Sequence, residues 1–147
     1  MYLFTGLLAS VFLITTSAGW ETDIDKAKEK ATQEHKLILL NFSGSDWCGP
    51  CIRLHTEIFE KETFKTFADN NLVLVNADFP RLKKNQLSKE QQKKNGLLAD
   101  KYNANGSFPY TVLLDANGKV IKTWDGFPNL TPGQFIGQIK IFTDARK

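Results

Sequence analysis

Cysteine is close to absent. The 147-residue chain has two, Cys48 and Cys51. That is too few for a multi-bridge scaffold, so core burial must hold the fold, and the length permits it. Histidine is as sparse, with His35 and His55. A structural zinc site takes four ligands. One Cys pair, with His55 a turn beyond Cys51 and His35 far off in sequence, falls short of that set, and no metal is expected. An excess of one charge is missing too. Nineteen Lys and Arg against sixteen Asp and Glu leave +3, too little to suggest a nucleic-acid partner, and no stripe of Arg with interleaved aromatics occurs. No internal repeat, linker or low-complexity tract divides the chain. With 41% hydrophobic and 24% charged residues, it reads as one ordinary globular domain.

The first twenty residues lack charged side chains altogether. An apolar run over residues 3–14 leads into Thr15-Thr16-Ser17-Ala18-Gly19. This pattern is expected of a secretory signal over residues 1–18, cleaved after Ala18, which leaves a domain over 19–147. What it lacks is a Lys or Arg in Met1-Tyr2-Leu3-Phe4, where the terminal amine is the only charge. Two alternatives stand beside it: an uncleaved membrane anchor over residues 2–18, short of the ~20 apolar residues of a span, and a buried N-terminal strand. No cysteine closes the run, which excludes lipid attachment there. Export, with the periplasm as the expected compartment, would place the protein where disulfides persist.

What the chain has is Trp47-Cys48-Gly49-Pro50-Cys51. A Cys-x-x-Cys pair between an apolar strand and a helix start is suited to redox chemistry. The helix N-terminus presents unpaired N–H groups and the positive end of its dipole, which favour a thiolate, the reactive species. The two intervening residues bring the second sulfur within bonding reach of the first. One sulfur can then attack a partner's disulfide and the other can release it.

Around this motif the pattern alternates. Residues 21–34 predict an amphipathic helix through Ile24, Ala27 and Ala31. Residues 37–42 and 72–77 predict strands covered on both faces. Between them a helix starts near Cys48, carries Ile52, Leu54, His55, Ile58 and Phe59, breaks around 60–62 and resumes through Phe64 and Phe67. The polar, Lys-rich stretch 78–102 ends in a helix packed through Leu97, Leu98 and Tyr102. Residues 111–114 and 119–124 form a hairpin about Asp115-Ala116-Asn117-Gly118. Thr131-Pro132 caps a last helix with Phe135, Ile136, Ile139 and Phe142 inward. The early strands, joined through a helix, should be parallel. The expectation is an α/β fold with a mixed sheet of four to five strands and helices on both faces.

This layout, with the Trp-Cys-Gly-Pro-Cys motif, resembles the thioredoxin superfamily over residues 20–145, and Asn41 in the strand before the motif resembles its exported thioredoxin-like branch in particular. Ser107-Phe108-Pro109 before a strand, Asp115 to Lys119 at a hairpin, and Gly126 after the last strand match in order. The resemblance implies a protein thiol–disulfide oxidoreductase whose redox centre is the Cys48–Cys51 pair, with no added cofactor. Cys48 would be the nucleophile and the more exposed sulfur, its pKa falling from about 8.5 toward ~7, and Cys51 the resolving thiol. Trp47 would shield the pair and offer a flat contact to substrate. Gly49-Pro50 matches reducing members, whose potential is about −270 mV. Pro109 would be cis, packed on the disulfide and barring metals, and the backbone of Phe108 would pair with an extended substrate segment. Gly126 would let that segment approach. The partners implied are protein thiols and disulfides plus an upstream thiol electron donor, with the protein acting as a monomer.

The chain departs from the family in three places. The buried aspartate of thioredoxins is replaced by Asn41, which cannot exchange a proton, and the matching lysine of the next strand by Leu74. Water, Asp46 or Asp78 would have to accept the proton of Cys51. An insert over 79–94 has no assigned purpose. Its Lys83, Lys84, Lys89, Lys93 and Lys94 read first as a solvated face, and second as a site for an acidic partner or anionic lipid. Asp46 reads first as a helix cap, His55 as a rim residue rather than a tuner of Cys48, and Phe127-Pro128 as core cover rather than groove. The competing function is a binding or chaperone module without turnover.

Overall fold

The computed structural model describes residues 19–146. The expected signal over 1–18 lies outside the described residues. Seven successive buried residues, apolar but for Asn41 and Ser43, form β1 (Leu37–Ser43) at an interior position of the sheet. β2 (Leu72–Asp78) lies parallel to it, in register from Leu37 opposite Leu72 to Ser43 opposite Asp78. The connection runs through α2 (Gly49–Leu54), a wider π turn (His55–Phe59) and α3 (Glu62–Asn71). On the other side of β1 lies β3 (Tyr110–Leu114), antiparallel, followed by β4 (Val120–Asp125). The sheet has four strands in the order β2-β1-β3-β4, the lower end of the expected range.

Strand alternation sorts the core into two layers. Leu37, Leu39, Leu72, Leu74 and Leu113 meet α2, the π turn, α3 and α5 (Pro132–Asp144) through Leu54, Ile58, Phe64, Phe135 and Ile139. Ile38, Leu40, Phe42, Val73, Val75 and Val112 meet α1 (Ile24–Glu34) and α4 (Lys89–Tyr102) through Ala27, Ala31 and Leu98. Each large side chain withdrawn in this way stabilises the fold by about 1.5–3 kcal/mol before entropy is counted. Helices therefore cover both faces. Ends of helices and turns follow local chemistry. Asp23 caps α1, and Thr131 and Gln134 form a reciprocal capping box on α5. Gly118 takes φ 87° in the β3–β4 turn, a conformation that favours glycine.

Three expectations need correction. Residues 21–23 are not helical: the backbone of Glu21 bonds to Leu74 and Asn76, pairing beside β2. The two strands before the active-site loops each run one residue further, to Ser43 and Asp78. In α4 Leu97 is 60% exposed, and Asn95 takes the buried position beside Leu98. Asn95 can be buried because its Nδ2 donates to the Asp78 carbonyl at 2.9 Å. On α5 the expected inward face holds: Phe135 and Ile139 are fully buried, and Ile136 and Phe142 pack partly buried against the same core.

Candidate active site

β1 ends at Ser43, and a tight turn follows in which the amides of Trp47 and Cys48 donate to the Gly44 carbonyl at 3.3 and 2.9 Å. The turn delivers Cys48 as the N-cap of α2, extended at φ −96° and ψ 101°. Its sulfur takes the role a serine oxygen has at other helix starts, accepting the Cys51 N–H at 3.3 Å. Gly49 and Pro50 are the first two helical residues, where a proline costs no hydrogen bond. Cys48 and Cys51 form a disulfide with Cα atoms 5.2 Å apart. The Gly44 N–H points at the Cys51 sulfur from 3.5 Å. Each sulfur thus faces one backbone donor, and such donors favour the anion when the bond is reduced. Cys48 is only marginally the more open residue of the pair, 5% against 3%. Bridged sulfurs cover one another, so the expected contrast in exposure is slight in this oxidised form.

Trp47 and Phe108 frame the pair. The Trp47 indole N–H donates to the Phe79 carbonyl at 2.8 Å, and its ring meets Phe108 edge-on at 5.5 Å. Phe79 meets the other side of Phe108 at 5.4 Å. Gly44 lies directly beneath the indole; a Cβ there would collide with Cε2, Cζ2 and Nε1. Sequence reasoning missed Gly44, and only its place three residues before Trp47 hinted at it. The Phe108–Pro109 peptide is cis, and Pro109 is buried. Gly126, at φ 78°, donates its N–H to the Pro109 carbonyl at 2.9 Å. A Cβ on Gly126 would meet nothing, so its backbone conformation, rather than crowding, calls for glycine. Among the described residues the backbone N–H and C=O of Phe108 have no hydrogen-bond partner.

Behind Cys51 the chemistry is amide rather than acid. Asn41, 6% exposed, donates through Nδ2 to Asn76 Oδ1 at 3.2 Å and accepts from Thr111 Oγ1 at 3.1 Å. Its partner across the ladder is therefore Asn76, while Leu74 sits in the core opposite Leu39. The repeat that betrays the pair is an Asn at the fifth place of two apolar strands. Neither suggested carboxylate reaches toward Cys51. Asp46 accepts from the Arg81 and Leu82 amides and Asn85 Nδ2 at 2.9–3.0 Å. Those bonds, the Arg81 amide foremost, hold its carboxyl below the ordinary 3.8. It caps the start of the insert, not α2. Asp78 accepts from the Ser45 amide and hydroxyl and from the Phe79 amide. A cleft of about 380 Å³ reaches Cys51 between Trp20, Asn41, Ser43, His55 and Asn76, roomy and polar enough for water. His55 stands on its rim, half exposed, with Nε2 3.1 Å from Glu60.

The remaining candidates scatter. Lys83, Lys84, Lys89 and Lys93 are exposed, while Lys94 bridges Asp23 and Glu90. Phe127 packs against the core with the Arg53 guanidinium 4.3 Å above its ring. Among the described residues no group of three or more His, Cys, Asp or Glu is placed to hold a metal ion, and no helix is long and apolar enough to cross a membrane.

Comparison with known proteins places this geometry. The disulfide bond reductase DsbH of Chlamydia pneumoniae is 43% identical over 100 residues, which is 68% of this chain and 58% of that protein. The thioredoxin-related protein DsbJ of Chlamydia pneumoniae is 29% identical over 112 residues, 76% of this chain and 31% of that protein. The chain thus spans less than two thirds of the length of either curated relative. A solved structure titled DsbH oxidoreductase superposes with a TM-score of 0.76 at 34% identity, covering 95% of this chain and 94% of the other. The family model of the thioredoxin-like domain matches residues 24–140. As that match runs from the first residue of α1 well into α5, the chain belongs to the thioredoxin-like domain family.

Proposed function

We propose that the protein is a thiol–disulfide reductase acting on protein disulfides in an exported, periplasmic compartment. The observation that carries the reading is the placement of Cys48 Sγ at the start of α2, accepting the Cys51 N–H. In the reduced protein the Cys48 thiolate attacks one sulfur of a substrate disulfide. A mixed disulfide forms and the first substrate thiolate leaves. Cys51 then gives its proton to water in the cleft, since Asn41 and Asn76 cannot accept it. Its sulfur attacks Cys48 Sγ, the second substrate thiolate leaves, and the Cys48–Cys51 bond forms. Two electrons pass to the substrate, and an upstream dithiol donor restores the pair. The unpaired backbone of Phe108 supports pairing with an extended substrate segment, and Trp47 gives that segment an apolar flank.

Gly49-Pro50 favours the reducing direction. A reduction potential for the Cys48–Cys51 couple near about −270 mV agrees with this reading, and one near about −120 mV marks an oxidant instead. Insulin reduction with dithiothreitol tests turnover: the protein should exceed the dithiothreitol background and Cys48→Ser should not. A wild-type rate at background would leave a binding or chaperone module. Export is tested by mass spectrometry of the protein from cells, where a chain beginning at Gly19 is expected and one still beginning at Met1 removes the cleaved signal.

A further inference from the structure

We propose that the start of the insert is a substrate-reading wall, and that Arg81 selects protein disulfides with an acidic residue beside the target cysteine. This rests on the reductase reading above. The Arg81 guanidinium carbon lies over the Trp47 ring, 3.7 Å from its centroid. Trp47 is the residue before the nucleophile and touches Phe108, so this cation sits on the rim where substrate must arrive. Arg81 is exposed, and a guanidinium carries five N–H donors in a planar fork that matches a carboxylate.

Among the described residues Arg81 also lacks an anionic side-chain partner, and Asp46 is spent on the backbone amides of Arg81 and Leu82. Arg53, the other arginine stacked on a ring near the site, is instead held by Glu57 at 2.9 Å. Lys83 and Lys84 follow Arg81, both exposed, and among the described residues neither is in an ion pair, while the nearby Asp46 carboxylate is taken up by backbone amides. The bonds from Asp46 hold this segment against the active-site loop. An acidic side chain within reach of the substrate cysteine completes the arrangement, and a basic one is repelled.

The test uses two short disulfide peptides that differ only in Asp or Lys next to the target cysteine. Rates are normalised to those with dithiothreitol alone. At low salt the protein should reduce the Asp peptide about fivefold faster in kcat/KM, the scale of one partly exposed ion pair, and about 0.5 M salt should erase the difference. Arg81→Gln should remove the preference and Arg81→Glu should invert it. Lys93→Gln, which removes the same charge from α4, should keep it. Equal reduction of both peptides by the wild type overturns the selectivity and leaves the reductase reading standing. A preference lost equally in Lys93→Gln also overturns it, since a diffuse field would then be responsible. Reduction of neither peptide removes both readings.

Discussion

Asn41 and Asn76 stand opposite one another on β1 and β2, and their side-chain amides share a hydrogen bond of 3.2 Å on the cleft that leads to Cys51. The third member, Thr111, donates to Asn41 from β3. Three neighbouring strands are thus joined by a neutral network in which no proton can be stored. Asn41→Asp puts an acid there. Burial beside Leu39 and Leu74 raises its carboxyl above the unfolded value. A group raised in this way binds more protons folded than unfolded, so the variant gains stability as pH falls. Urea titrations should show a loss of about 1–3 kcal/mol at neutral pH that shrinks toward about pH 5. A loss that grows on acidification would contradict this.

Under the proposed mechanism the two sulfurs have separable roles. Cys51→Ser leaves the attacking thiolate but no resolving one, so incubation with a substrate disulfide should accumulate a mixed disulfide through Cys48. Intact-mass measurement reads this directly. Cys48→Ser should accumulate little. Trapping through Cys51 instead would reverse the assignment.

Gly44 is required by proximity, since its neighbour is the Trp47 indole itself. Gly44→Ala must displace that ring, breaking its bond to Phe79 and the stack with Arg81. An overpacked site of this kind costs about 1–3 kcal/mol. The melting temperature should fall and the tryptophan emission should shift. Unchanged values for both would show that the ring yields freely.

Asp46 ties the insert to the active-site loop. Its carboxyl is lowered below 3.8, chiefly by the Arg81 amide, then by Asn85 and Leu82. A carboxyl lowered by folding stabilises above its unfolded value, and that contribution is lost as pH falls through the folded one. The tether should therefore hold at neutral pH and release below 3.8. Hydrogen exchange at the Arg81 and Leu82 amides is the measurement. Asp46→Asn, with weaker acceptance, should speed their exchange near neutral pH while the amides of β1 stay protected.

Much of this molecule is legible one residue at a time. The runs at Leu37 and Leu72 mark covered strands, Asn117-Gly118 marks the hairpin, and Thr131-Pro132 marks the start of α5. Cys48-Gly49-Pro50-Cys51 marks the site, because short-range chemistry sets both a helix start and a sulfur pair three residues apart. Leu97 misled because helical spacing names a face only to within a residue or so, and a well-bonded amide, Asn95, can take the inner position. Asp46 misled because a carboxylate near a helix start need not cap that helix.

What the order of residues dictates here is local: the alternation of strand and helix, the caps, and the pairing of Cys48 with Cys51. Which distant groups meet is set by the register of β1 against β2 and by the return of the chain past Trp47. Register joins Asn41 to Asn76 instead of Leu74. The return brings Phe79 and Arg81 onto an indole more than thirty residues earlier. Such contacts follow from how two apolar layers close over one sheet, a collective packing outcome that no short stretch of chain encodes.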